Sequence, residues 1–348
     1  MSATQSIEWA DPARQQAFAA WLAPLAAAHG LQADTLAPAS ADASFRRYFR
    51  IQAADGSHRI IMDAPPPLED VRPFIDIAGR IARAGLHAPQ VLAADEAQGF
   101  VLLTDLGRTL YLDAVQAEGG AQAERLMREA MAALVHWQQH VDATGLPAYD
   151  DALLRRELAL FPEWCVQKEF GITWTEAQQA QWGRVCDHLV ASALAQPTVA
   201  VHRDWMPRNL MVADPNPGIL DFQDAVRGPI SYDVASMLRD AFLSWDEERE
   251  IDWAVRYWDR ARKAGLPVDE DFGEFWRQVE WMGLQRHLKV LGIFCRLKHR
   301  DGKPRYAADL PRFFAYASKV ALRYGPLKPL LPLLEPMMGA KVGVGYTF

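Results

Sequence analysis

Asp204, Asn209 five residues later, and Asp221 after the apolar run Gly218-Ile219-Leu220 are the side chains of this chain best suited to chemistry. The Asn209 amide and the Asp221 carboxylate are hard oxygen donors. Such a pair suits Mg²⁺, which keeps waters and phosphate oxygens in its octahedral shell instead of being caged by protein. Asp204 is then left to accept a hydrogen bond from an attacking hydroxyl and to take its proton late. A phosphoryl group in transfer spreads charge over its equatorial oxygens, so the protein contributes mainly alignment and cations. Residue types and spacing together point to metal-assisted phosphoryl transfer onto an alcohol. His202, in the same loop, reads as a brace and not as a reactant.

Three short strands are needed to bring these groups together, and residues 197–201, 209–212 and 218–220 have the apolar character for them. Earlier in the chain, residues 11–29 carry Phe18, Trp21, Leu22 and Leu25 at helical spacing and stop at Gly30. Residues 44–51 and 58–62 flank Asp55-Gly56, which predicts a hairpin. Residues 68–84 predict a helix with Phe74, Ile77, Ala78 and Ile81 on one face, and 90–92 and 99–103 predict two further strands. Beyond residue 110 the pattern is mostly helical, notably over 121–140, 252–263, 272–297 and 310–324. The expected fold class is α+β in two lobes, with a small β-rich lobe over 1–105 and a larger, mainly helical lobe over 106–348. The turn at 104–108 is the expected hinge, where backbone groups near Asp105 and Leu106 would meet a nucleotide base.

Composition narrows the partners. A formal net charge of -7, from 37 Lys+Arg against 44 Asp+Glu, argues against general nucleic-acid binding, which needs an extended basic surface. Cys165, Cys186 and Cys295 are odd in number and lack CxxC spacing, so neither a disulfide framework nor a zinc site is expected, and a reducing cytoplasm fits. The first residues lack the pattern of a secretory signal, and no apolar run reaches the length of a membrane span. The apolar stretch 326–338, broken by four prolines, is expected to pack on the body of the protein or on a partner.

Four blocks carry a resemblance: residues 40–50 (SADASFRRYFR), 61–66 (IMDAPP), the segment 201–222 around Asp204, and 285–294 (QRHLKVLGIF). Through them the chain resembles the aminoglycoside phosphotransferase family, a branch of the protein-kinase-like fold. Within that family it is most similar to the kinases of N-acetylmuramate and N-acetylglucosamine in peptidoglycan recycling. The resemblance implies ATP as donor, Mg²⁺ on Asn209 and Asp221, Asp204 as base, and transfer to the anomeric C1 hydroxyl. Acceptors of the aminoglycoside, choline or homoserine type, or a silent nucleotide-binding relative, are the alternatives. A silent relative would have little reason to keep all three polar residues.

The chain departs from the wider kinase pattern twice. The phosphate-covering loop at 40–49 has no glycine, and Met62 stands near the position of the usual phosphate-pairing lysine. Arg46, Arg47 or Arg50 would have to supply the cation, with Ser44 beside them on the nucleotide. For the acceptor, Arg286, Lys289, Arg296 and Arg300 form a stripe on one helix, which suits an anionic sugar better than a polycation. A solvated helix face would read the same. Asp224 and Arg227 follow Asp221 closely enough for either to bind sugar hydroxyls or ligate a second metal, and Trp205 and Trp281 are candidates to stack on a pyranose ring.

Overall fold

The computed structural model describes residues 7–9, 11–41, 45–118, 120–240 and 242–338, so Ser44 lies outside the described residues. The chain divides into two compact units, Met1–Asp142 with Pro207–Asp224, and Ala143–Met206 with Ala225–Phe348.

The first unit begins with helix α1 (Pro12–His29), whose N-terminus is capped by the Asp11 carboxylate and whose end is Gly30 at φ 63°. A five-stranded antiparallel sheet follows, in the order β1-β2-β3-β5-β4. Its strands are β1 (Leu31–Ala41), β2 (Arg47–Ala53), β3 (His58–Asp63), β4 (Val91–Asp95) and β5 (Phe100–Thr104), with helix α2 (Arg72–Arg83) between β3 and β4. The Asp55-Gly56 hairpin forms as expected, and α2 buries Phe74, Ile77, Ala78 and Ile81. β1 was not anticipated. Its alanines, Asp34 and Pro38 have low strand preference, and it exists by pairing with β2 at the sheet edge, where a proline is tolerated. One face of the sheet packs on α1 through Phe18, Leu22, Phe49, Ile51 and Phe100. Helices α3 (Tyr111–Glu118) and α4 (Gly120–His140) and the small ladder β7 (Leu210–Met211) with β8 (Gly218–Ile219) complete the unit.

The second unit is mostly helical: α5 (Asp151–Leu160), α6 (Glu176–Leu194), α7 (Tyr232–Leu238), α8 (Glu247–Lys263), α9 (Phe272–His299), α10 (Leu310–Arg323) and α11 (Leu331–Met338). Strands β6 (Thr198–Val201) and β9 (Val226–Pro229) pair with each other; β9 was not predicted. Helix α9 runs through the core. It approaches the end of α5 so closely that a Cβ on Gly292 would stand 2.4 Å from the Leu160 backbone, and Gln285 donates to the Leu154 carbonyl at 3.1 Å. The proline-broken stretch does pack inward, burying Leu327, Leu330, Leu333 and Leu334. Among the described residues no helix is long and apolar enough to cross a membrane.

Candidate active site

In the first unit, two expected residues, Asn209 and Arg46, gather around Asp221, with Gln223, which the sequence did not single out. The β7–β8 ladder and the bond from Leu220 N–H to the Asn209 carbonyl, 2.9 Å, place Asn209 Nδ2 3.5 Å from Asp221 Oδ2. Asp221 sits at φ 59°, a left-handed conformation that aspartate tolerates better than most residues. Buried Phe222, ring to ring with Phe74 at 4.7 Å, anchors the next position. The Arg46 guanidinium lies 3.6 Å from the second Asp221 oxygen, Oδ1, and 3.9 Å from Glu69, which also accepts the Phe45 N–H. Gln223 donates to Asp221 at 2.9 Å and reaches exposed Asp224 at 3.3 Å. A half-exposed carboxylate and a neighbouring side-chain amide, which carries an oxygen donor of its own, are groups that Mg²⁺ takes together with phosphate oxygens and water, so the residues present fit the expected ion.

Arg47 and Arg50 both stand apart from this cluster, Arg47 by strand parity and Arg50 by its place about 13 Å further along the strand. Arg47 shares a face with Phe49; it stacks over Trp9 at 4.3 Å and pairs, with Arg14, the fully buried Asp63 directly across the ladder. Arg50 points to the opposite face, where it forks onto Asp105 at 2.5 and 2.9 Å and onto the Gly107 carbonyl at 2.6 Å. The Asp105 carboxylate is thus engaged by side chain and turn, since it also takes the Gly107 N–H. Leu106 packs on β8, where a Cβ on Gly218 would come within 2.8 Å of it.

In the second unit, the loop after β6 presents Asp204. The fully buried Asp233, at the start of α7, accepts N–H donation from His202 at 2.7 Å and from Arg203 at 2.9 Å. Burial pushes its carboxyl up to about 7, against the opposing pull of those two donors. His202 does brace the loop, its Nδ1 accepting the Asp204 N–H at 3.2 Å. Arg203 adopts φ 79°, unusual for a side chain of its size and sustained only because its surroundings fix it. Arg286 of α9 places Nη2 3.5 Å from Asp204 Oδ1 and 3.3 Å from the Arg203 carbonyl.

The basic stripe divides. Arg286 and Lys289 turn inward; Lys289 meets Glu157 at 3.0 Å and the Tyr232 hydroxyl at 3.3 Å. Arg296 and Arg300 lie about 15 and 21 Å beyond Arg286 at the helical rise, and Arg300 pairs with Asp301. Trp205 is wholly buried, edge-on to His202, and Trp281 is 8% exposed against Tyr324, so neither offers a free face to a sugar ring. Glu157, Glu69 and the loop-holding role of Asp233 escaped the sequence reading. Asp233 lies in the run Gly228-Pro229-Ile230-Ser231-Tyr232-Asp233 shortly after Asp221, a signal that could have found it, whereas Glu69 and Glu157 carry no local pattern at all.

A family model described as "Phosphotransferase enzyme family" matches residues 35–274. The chain is 52% identical over 303 residues to the N-acetylmuramate/N-acetylglucosamine kinase of Pseudomonas aeruginosa, covering 87% of this chain and 88% of that protein. It is 53% identical over 310 residues to the protein of that name in Pseudomonas putida, covering 89% and 90%. It is 49% identical over 312 residues to the protein of that name in Neisseria meningitidis, covering 89% and 93%. Among solved structures, a choline/ethanolamine kinase family protein from Mesorhizobium loti superposes with TM-score 0.61 at 15% identity, covering 93% of this chain and 99% of that one. ADP-bound aminoglycoside phosphotransferase APH(2'')-Ib does so with TM-score 0.59 at 10% identity, covering 89% and 99%. The structural likeness establishes the kinase-like α+β fold.

Proposed function

The chain belongs to the phosphotransferase enzyme family, and from that premise we propose that it transfers the γ-phosphoryl group of ATP to the anomeric C1 hydroxyl of N-acetylmuramate and N-acetylglucosamine. The observation that carries the chemistry is the meeting of Asn209, Arg46 and Gln223 at Asp221. The acceptor rests on relatives of about half identity that bear the name of that activity.

Asp204 accepts the C1 hydroxyl proton, and Arg286 flanks its carboxylate and orients it. Asn209 and Asp221 would hold Mg²⁺, which supplies charge neutralisation to the ATP phosphates when bound. Arg46 takes the part of the missing strand lysine, with Glu69 aligning it. Its fork can grip phosphate oxygens in pairs. Arg46→Ala should therefore raise the KM for ATP about tenfold to a hundredfold, the loss of one charge-assisted contact of about 1.5–3 kcal/mol. Arg47→Ala should leave that KM within twofold and instead lower the melting temperature, because Asp63 loses one of its two arginines. Equal KM changes in both variants would remove Arg46 from the phosphate site.

An acceptor panel read by phosphorus NMR tests the reaction itself. N-acetylmuramate and N-acetylglucosamine should each give a sugar 1-phosphate, and turnover of choline or kanamycin in their place would overturn the acceptor. Arg286 is the cation best placed to meet the lactyl carboxylate of N-acetylmuramate, since Lys289 is engaged by Glu157. Arg286→Ala should depress kcat/KM for N-acetylmuramate about tenfold more than for N-acetylglucosamine, the equivalent of about 1.4 kcal/mol. An unchanged ratio between the two sugars would mean that Arg286 serves the loop alone.

A further inference from the structure

The loop that presents Asp204 is held at three points of one residue. Arg203 gives its N–H to Asp233, receives Arg286 on its carbonyl, and sends its guanidinium to Glu157 of α5. Glu157 is 5% exposed and takes two more donors, the Tyr149 hydroxyl and Lys289 Nζ at 3.0 Å. One buried carboxylate thus joins α5, the β6 loop and α9. Tyr149 is fixed in turn by its backbone, whose N–H donates to the Arg227 carbonyl at 2.8 Å on β9.

The charges around Asp204 come to three cations, Arg203, Arg286 and Lys289, against the carboxylates of Asp204, Asp233 and Glu157. Burial opposes ionisation of Glu157, but Lys289 and Arg203 more than offset it and hold its carboxyl below the usual range. Without that charge, Arg203 and Lys289 would face each other as buried cations. Arg203 would also lose the side-chain anchor that helps sustain its left-handed backbone one residue before Asp204.

We propose that Glu157 is a positioning residue for the base, fixing Asp204 through Arg203 and withdrawing Lys289 from the acceptor so that Arg286 is the cation left facing it. The proposal rests on the reading of Asp204 as the base.

Glu157→Gln keeps the shape of the side chain and removes its charge. Full-length protein carrying it should lose at least tenfold in kcat for N-acetylglucosamine, with the KM for ATP within twofold of the parent. Glu157→Asp should recover part of that loss. The second substitution Lys289→Met, added to Glu157→Gln, removes the surplus buried cation and should restore the melting temperature without restoring kcat. Recovery of kcat in step with the melting temperature, or a Glu157→Gln kcat within twofold of the parent, would overturn the proposal. Asp204→Asn separates the two readings. Near-normal turnover there sinks the base assignment and this proposal with it, whereas lost turnover there beside normal turnover in Glu157→Gln sinks this proposal alone.

Discussion

Replacing Asp204 by asparagine is expected to lower kcat at least ~10²-fold while the KM for ATP stays within twofold, because a positioned general base contributes about 10²–10⁴. Asparagine has the same shape and can still accept a hydrogen bond from the sugar hydroxyl, but it cannot take the proton. The fold should survive the change. Arg286 keeps the Arg203 carbonyl as a partner, and the loop remains tied by the two N–H bonds to Asp233. Steady-state kinetics beside a melting curve checks this. Turnover near the parental rate in a folded variant would take Asp204 out of the base role.

The other large effect belongs to Asp221. Asp221→Ala should abolish magnesium-dependent ATP turnover, because the remaining oxygen donor, Asn209, is a neutral amide and binds a hard dication weakly by itself. Alanine also sits poorly at φ 59°, a strain of about 1–2 kcal/mol that complicates a simple loss of activity. Asp221→Asn avoids the complication, since asparagine tolerates that conformation and keeps an oxygen while losing the charge. Its activity should return only at more than about tenfold higher Mg²⁺, a shift corresponding to at least about 1.4 kcal/mol of metal affinity. A magnesium titration indistinguishable from the parent's would place the ion on other side chains.

Local pattern sufficed wherever a single element carried its own signal. The face of α2, the Asp55-Gly56 turn and the span of α9 were all legible, because apolar period and turn chemistry are properties of contiguous residues. β1 was not, since its residues become a strand only by pairing with β2. Arg46, Arg47 and Arg50 looked equivalent in sequence. Arg47 differs because alternate residues face opposite sides of the sheet, and which side holds α1 is a tertiary fact; Arg50 differs from Arg46 because Asp105 and the Gly107 carbonyl claim its guanidinium. The helix that carries the basic stripe was legible, yet the stripe divides, since the partner of Lys289 comes from Glu157, well over a hundred residues earlier. No spacing rule joins groups so far apart.

Helix α1 ends before residue 35, where the match to the family begins. Yet it supplies Arg14, which shares the buried Asp63 with Arg47, and Phe18, whose ring meets both Phe49 and Phe100. The stretch matched by the family model therefore leaves out the helix that covers one face of this sheet. Cut at the homology boundary, the sheet would keep an interior carboxylate with half its counter-charge and an uncovered aromatic face, the makings of a sticky fragment and not of a smaller enzyme.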